Sequence, residues 1–236
     1  MKIIVTMLSA CLMSAAVFAQ PTISDPNIQV REAKDFHAIS VSSAFDVYLT
    51  QGNEEKVAVS AGETKNLANI KVEVKNGVLE IGWEHNGKWG RGSKKLKAYI
   101  SYKTIDKLKV SGACDVSIVG SLQSDDLLVE LSGASDLKGK VDSKKLAFDL
   151  SGASDAKITG TAGKLDIEAS GASSFKGYDL LTDYCNARAS GASGIRITVN
   201  KELSATASGA SDINYKGTGV IRDIKTSGAS SISKAG

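Results

Sequence analysis

LSGASDLKG at 131–139 and LSGASDAKI at 150–158 share their first six residues, and the pattern keeps returning along the chain. The triplet Ser-Gly-Ala begins at Ser111, Ser132, Ser151, Ser170, Ser190, Ser208 and Ser227, at intervals of 21, 19, 19, 20, 18 and 19 residues. A period this regular is the mark of a fold made by stacking one unit on the next, each unit touching chiefly its neighbours.

Between the triplets the chain alternates. In LDIEASG (165–171), Leu165, Ile167 and Ala169 point one way while Asp166, Glu168 and Ser170 point the other, the two-residue period of a half-buried strand. LAFDLSG (146–152) and LSATASG (203–209) repeat the alternation in the same phase. The two prolines, Pro21 and Pro26, precede this part of the chain, so no ladder is interrupted. Nothing in 111–236 has the period of an amphipathic helix.

Two architectures use a period near 19: a β-solenoid with one coil per period, or an antiparallel meander with one hairpin per period. A hairpin needs turn residues twice per period, and only one small-residue element recurs, which favours the solenoid. In stacked parallel coils each residue lies over its counterpart, so one demanding position imposes one residue type on a whole column. The glycines Gly112, Gly133, Gly152, Gly171, Gly191, Gly209 and Gly228 are then structural corners. The serines flanking them have hydroxyls to bond one another or nearby backbone. We expect S-G-A-S to be a tight inward corner where anything larger than Ser collides. Six coils after the first rise roughly 29 Å at the spacing of strands in a sheet.

The first part of the chain is less regular. VSSAFDVYLTQG (41–52) is a degenerate copy of the unit, with Ser42-Ser43-Ala44-Phe45-Asp46-Val47 matching Ser111-Gly112-Ala113-Cys114-Asp115-Val116. IKVEVKNGVLEIGW (70–83) is two alternating strands around Asn76-Gly77, a strong hairpin signal. Its two-residue turn pairs Val74 with Leu79, Val72 with Ile81 and Glu73 with Glu80. A solenoid needs a cap over its end coils, and 21–110 supplies irregular first coils together with that cap.

The 236 residues are 42% hydrophobic, enough for one sizeable core and unlike a disordered chain. Residues 1–19 have Lys2, an apolar run and small residues at Ala16 and Ala19, the pattern of a cleaved secretory signal. Leu8-Ser9-Ala10-Cys11 also fits a lipobox, a competing reading disfavoured because only ten residues precede Cys11 and the apolar run continues to Phe18. Residues 20–34 read as a linker and 35–236 as one domain, with 35–110 irregular and 111–236 regular. No later segment is apolar enough over enough residues to span a bilayer. The net charge of +3 falls to +2 without the leader's lysine, too little to suggest nucleic acid as a partner. Cys114 and Cys185 lie about four repeats apart, beyond disulfide reach, and are expected to be small buried residues in separate layers.

FHAISVSSAFDVYLTQG, VKNGVLEIGW, KAYISYKTIDKLKVSGACDVSI and the S-G-A-S-D units together resemble the putative auto-transporter adhesin, head GIN domain family, a domain of unknown function in secreted proteins of Bacteroidetes-type bacteria. The likeness runs from about residue 35 to the last coil. It implies an all-β, single-stranded, right-handed parallel β-helix exported across the inner membrane, with periplasmic, outer-membrane or extracellular residence. The handedness comes from the resemblance and not from the spacing. No catalytic residues and no cofactor are carried over with it.

Three constellations remain to be placed. Asp46, Asp115, Asp136, Asp155 and Asp212 share one phase, which invites a calcium ladder. Ser174, Gly194 and Ser231 interrupt the column, however, and Lys138, Lys157 and Lys176 follow it, so a solvated column is the expectation and no metal is assigned. For catalysis, the chain has two histidines, His37 and His85, and no nucleophile elbow. A carbohydrate-active β-helix enzyme, recruiting Asp166, Glu168, Arg188 and Arg196 on one outer face, is the alternative to a non-catalytic binding or structural module. The third is GWEHNGKWGRG (82–92), where Trp83, His85, Lys88, Trp89 and Arg91 form a candidate ligand-binding loop, its aromatic rings suited to stacking on a cell-surface glycan or an envelope protein. Trp83, in phase with Leu79 and Ile81, is also suited to packing over the end of the core.

Overall fold

The computed structural model describes residues 25, 27–84 and 95–236. Residues 1–19, read above as a leader, and 85–94, which include His85, Lys88, Trp89 and Arg91, therefore lie outside the described residues. Strands β1 (Gln29–Arg31), β2 (Ala38–Val41), β3 (Phe45–Gln51) and β4 (Lys56–Ser60) precede a 3₁₀ turn at Thr64–Asn69. Then come β5 (Ile70–Lys75), β6 (Val78–Trp83), β7 (Leu96–Tyr102) and β8 (Lys107–Val110). The long strands β9 (Asp115–Leu131), β10 (Asp136–Leu150), β11 (Asp155–Ala169), β12 (Ser174–Ala189) and β13 (Gly194–Ala207) each bend around most of a coil. The last described strands are β14 (Asp212–Lys216), β15 (Val220–Thr226) and β16 (Ser231–Lys234).

Every ladder from β9 to β16 is parallel, and equivalent residues of the repeat lie over one another: Asp136 pairs with Asp155, Leu146 with Leu165 and Leu150 with Ala169. The protein is a parallel β-solenoid of about seven turns, and the meander is excluded. Inward residues fill its interior: Ile158, Leu165 and Ile167 have no exposed surface, and the Phe148 ring of β10 meets the Phe175 ring of β12 edge to face at 4.9 Å. Among the described residues no helix is long and apolar enough to cross a membrane. Cys114 and Cys185 are both buried and unpaired; burial pushes both thiols up.

The corners differ from the expectation in one respect. Only the second serine faces inward; Ser135, Ser154 and Ser211 have no exposed surface, whereas the glycine and alanine of each corner lie exposed. What demands glycine is the neighbouring backbone. The ladder continues through the corner, with the Ala153 amide donating to the Gly133 carbonyl and the Ala172 amide to the Gly152 carbonyl, both at 2.7 Å. A Cβ on Gly152, at φ +72°, would stand 2.5 Å from the Gly133 oxygen. The inward hydroxyls bond backbone rather than one another: Ser154 Oγ donates to the Ser151 carbonyl at 2.9 Å and Ser173 Oγ to the Ser170 carbonyl at 2.8 Å. Cys114 holds that place in its own corner, its Sγ 3.5 Å from the Ser111 carbonyl.

The first hundred residues do not simply precede the regular coils in space. β3 lies between β7 and β9, and β2 between β6 and β8, all in parallel. After β3 the chain moves outward to lay down β6 and β7, then returns to place β8 and β9 on the opposite side. The outer side is closed by antiparallel strands, β5 on β6, β4 on β7 and β1 on β4. The hairpin register is the one its sequence dictates, Val72 with Ile81, Glu73 with Glu80 and Val74 with Leu79, with positive φ at Asn76 and Gly77. Lys71 lies between Glu73 and Glu80 and ion-pairs with both, and Lys75 adds a second partner to Glu73. The Lys71 and Lys75 ammonium groups hold Glu73 down at about 2.

Candidate functional site

After each corner the chain runs straight for four or five residues, and its two outward positions form two columns down one face. The first descends through Asp46, Asp115, Asp136 and Asp155, then Ser174, Gly194 and Asp212. The second, two residues on, begins with Tyr99 and Tyr48, passes Ser117, and continues through Lys138, Lys157, Lys176 and Arg196. Parallel in-register stacking alone aligns them, since residues alternate sides along a strand.

The second column changes character at Ser117. The Tyr48 and Tyr99 rings stack with centroids 5.1 Å apart and planes within 12°. Because the ladder is in register, the other face of the Tyr48 ring looks toward Ser117, whose hydroxymethyl group fills little of the space. Lys138 stands one strand further, about 10 Å from Tyr48 in the ladder direction. The outcome is a groove of about 460 Å³ walled by Tyr48, Ser117, the four aspartates and the lysines 138, 157 and 176.

The charges of the groove are incompletely paired. Lys176 Nζ is 2.7 Å from Asp155, and Lys97, the residue beside Asp46 in its column, pairs with Asp25 at 3.4 Å. Among the described residues Asp46, Asp115, Asp136, Lys138 and Lys157 make no ion pair. Partial burial, with the Asp155 and Asp115 carboxylates on either side, holds Asp136 above the usual carboxylate range. The aspartates and lysines thus present acceptors and donors facing solvent. Among the described residues no three His, Cys, Asp or Glu side chains are disposed to hold a metal ion.

Of the candidate loop, Trp83 is described: it ends β6, half-buried against the core, and its amide donates to Ser43 Oγ at 3.2 Å. His85, Lys88, Trp89 and Arg91 lie outside the described residues, in the connection between β6 and β7. The four residues of the enzyme alternative are not brought together. Asp166, Glu168 and Arg188 share a second face, where Arg188 and Glu168 ion-pair at 3.1 Å. Arg196 belongs to the groove face, stacked below Lys176. Their sequence phases differ: Arg196 follows a corner by a few residues, the others precede the next one. His37, meanwhile, pairs with Asp106 at 3.1 Å near the cap.

Tyr48, Tyr99 and Ser117 were not singled out by sequence reasoning. Extending the match of 42–47 with 111–116 by one residue sets Tyr48 over Ser117, which is the signal that finds those two, whereas Tyr99 is placed only by the β3–β7 ladder.

These features define a solid parallel β-solenoid with a polar, aromatic-edged groove along one face. The family model described as putative auto-transporter adhesin, head GIN domain matches residues 35–219. The chain belongs to that family. In structure it is similar to a putative adhesin from Bacteroides fragilis, with a TM-score of 0.84 and 24% identity over 88% of this chain and 96% of that one. A putative adhesin from Parabacteroides distasonis gives 0.72 and 18% identity over 88% and 96%. A putative lipid binding protein from the same species gives 0.64 and 19% over 90% and 98%. No match is found among curated proteins. At these identities the likenesses speak for the fold.

Proposed function

We propose that the protein is a non-catalytic, exported binding module of the bacterial cell envelope, adhesin-like in use, which holds a cell-surface glycan or an envelope protein against its long face. Membership of the adhesin family and adhesin-named structural neighbours support a non-enzymatic module. The observation that carries the reading is the groove, with unpaired carboxylates and ammonium groups beside an aromatic ring on the stacked column. The segment bearing Trp83, His85, Lys88, Trp89 and Arg91, which follows β6 in the sequence, is the second proposed contact. Lipid binding, the description of one neighbour, has less support. The solenoid interior is filled by side chains and the groove is lined by charges, neither suited to an acyl chain.

A glycan and matrix-protein array probed with the whole protein tests this, read for retention and for new reducing ends. Saturable retention without turnover is expected. Depletion of a polysaccharide, lost on a single carboxylate substitution, establishes the enzyme instead. Protease treatment of intact cells is expected to digest a surface-held protein and spare a periplasmic one, cell fractionation is expected to recover the latter with the envelope, and a cytosolic location contradicts export. Loop involvement is dropped if Trp89→Ala leaves every interaction intact.

A further inference from the structure

We infer that the space over Ser117 is a subsite for one ring of a neutral, hydroxyl-rich oligosaccharide, stacked on the open face of Tyr48. This rests on the binding-module reading and names its ligand class and its location.

The ladder gives the slot its shape. Tyr99 covers one face of Tyr48, and the column then skips a large side chain at Ser117 before resuming with Lys138. A pyranose ring has the thickness of one strand spacing, about 4.8 Å, so it takes the place in the column that a third aromatic residue would fill. Its C–H face meets the ring of Tyr48, a weak contact of the C–H and π type.

The lining gives the slot its chemistry. Four carboxylates, Asp46, Asp115, Asp136 and Asp155, face three ammonium groups, Lys138, Lys157 and Lys176, across the groove. The charges nearly cancel, so neither a polyanion nor a polycation is strongly drawn in. A sugar hydroxyl both donates and accepts, and bonds carboxylate and ammonium at once through charge-assisted hydrogen bonds. Asp136, raised above the usual carboxylate range by partial burial and by the Asp155 and Asp115 carboxylates, is one of the acceptors that face the groove.

The test is isothermal titration of the whole protein with neutral tetrasaccharides of glucose, mannose, galactose and N-acetylglucosamine. Polygalacturonate and tetralysine serve as charged controls. At least one neutral tetrasaccharide is expected to bind with a Kd of roughly 1 mM or tighter. Ser117→Phe, which fills the slot, and Tyr48→Ala, which removes its wall, each weaken that binding about tenfold. Lys145→Ala, on another face, leaves it unchanged. Unfolding midpoints verify that each variant folds, and Ser117→Asn is the milder substitute if Ser117→Phe does not. Binding of a neutral glycan that survives both groove substitutions overturns the subsite and leaves the binding module standing. Saturable binding confined to the charged controls overturns the ligand class. No retention on any glycan or matrix protein overturns both inferences together.

Discussion

The regular coils and the cap solve the same problem by different means. From β9 onward each coil is held by the one before it, and a single residue type can be enforced down a column because every corner meets an identical corner. The cap has no such neighbour on its outer side. There the chain uses antiparallel pairing, an Asn-Gly turn and an ion-pair cluster around Glu73. The contrast is sharpest at the corner itself. Ser43 holds the glycine position of the first copy at φ +89°, and its hydroxyl accepts the Trp83 amide, a bond no glycine could make. Repetition therefore enforces identity, and the edge of the repeat permits specialisation. The groove lies across that boundary: its aromatic wall is Tyr48 of β3, backed by Tyr99 of β7, and its lysines come from the regular coils.

Core truncation should separate the two regions most strongly. Phe148→Ala removes a buried ring packed on Phe175 and is expected to cost about 4 kcal/mol in denaturant unfolding, whereas Val74→Ala, half-buried in the cap, costs about 1 kcal/mol. Equal losses would mean that the cap and coils share one core of uniform tightness.

Next in size is the inward hydroxyl. Ser154→Ala loses the bond to the Ser151 carbonyl and is expected to destabilise by about 1 kcal/mol. The converse, Cys114→Ser, restores the usual corner bond and is expected to raise the unfolding midpoint. A fall instead would show that Cys114 is retained for packing against the cap.

The smallest effect is electrostatic. Partial burial and the flanking Asp155 and Asp115 carboxylates raise the carboxyl of Asp136 above its ordinary value in the folded state, so the native protein binds a proton more readily than the unfolded chain. Its contribution to stability therefore declines as pH rises from the unfolded value through the folded one, and the penalty is fully present at neutral pH. Asp136→Asn is expected to raise the midpoint by about 1 °C at pH 7, solvent screening keeping the gain small. Below about pH 3, where the unfolded group is protonated too, the difference should vanish. A variant less stable at pH 7 would show that the carboxylate has a partner that stabilises its charge.

The coil, its period and the hairpin register were legible because each is a repeated or local constraint: the spacing of Gly112 to Gly228, the alternation in 165–169, the Asn-Gly turn. The family was legible from the order of the same motifs. The spatial position of β2 and β3 between later strands was not, because nothing local in 38–51 records which strand stacks on which side. The corner was read as tight for the wrong reason, since a period shows that a small residue is required and not whether side chain or backbone requires it. The groove was only half legible: the repeat sets Tyr48 over Ser117, but Tyr99 lies in the irregular part, where column neighbours are set by a non-sequential ladder.

The account stands on stacked corners whose glycines are required by the backbone of the coil before them, and paired substitutions at Gly152 and Ser43 test this most directly. Denaturant unfolding of Gly152→Ala, whose new Cβ would meet the Gly133 oxygen at 2.5 Å, is expected to show a loss of about 3 kcal/mol. Ser43→Gly, which relieves a positive φ while losing one hydrogen bond, is expected to stay within about 1 kcal/mol of the parent. A Gly152→Ala protein as stable as its parent would contradict the stacked corner and the aligned columns that build the groove.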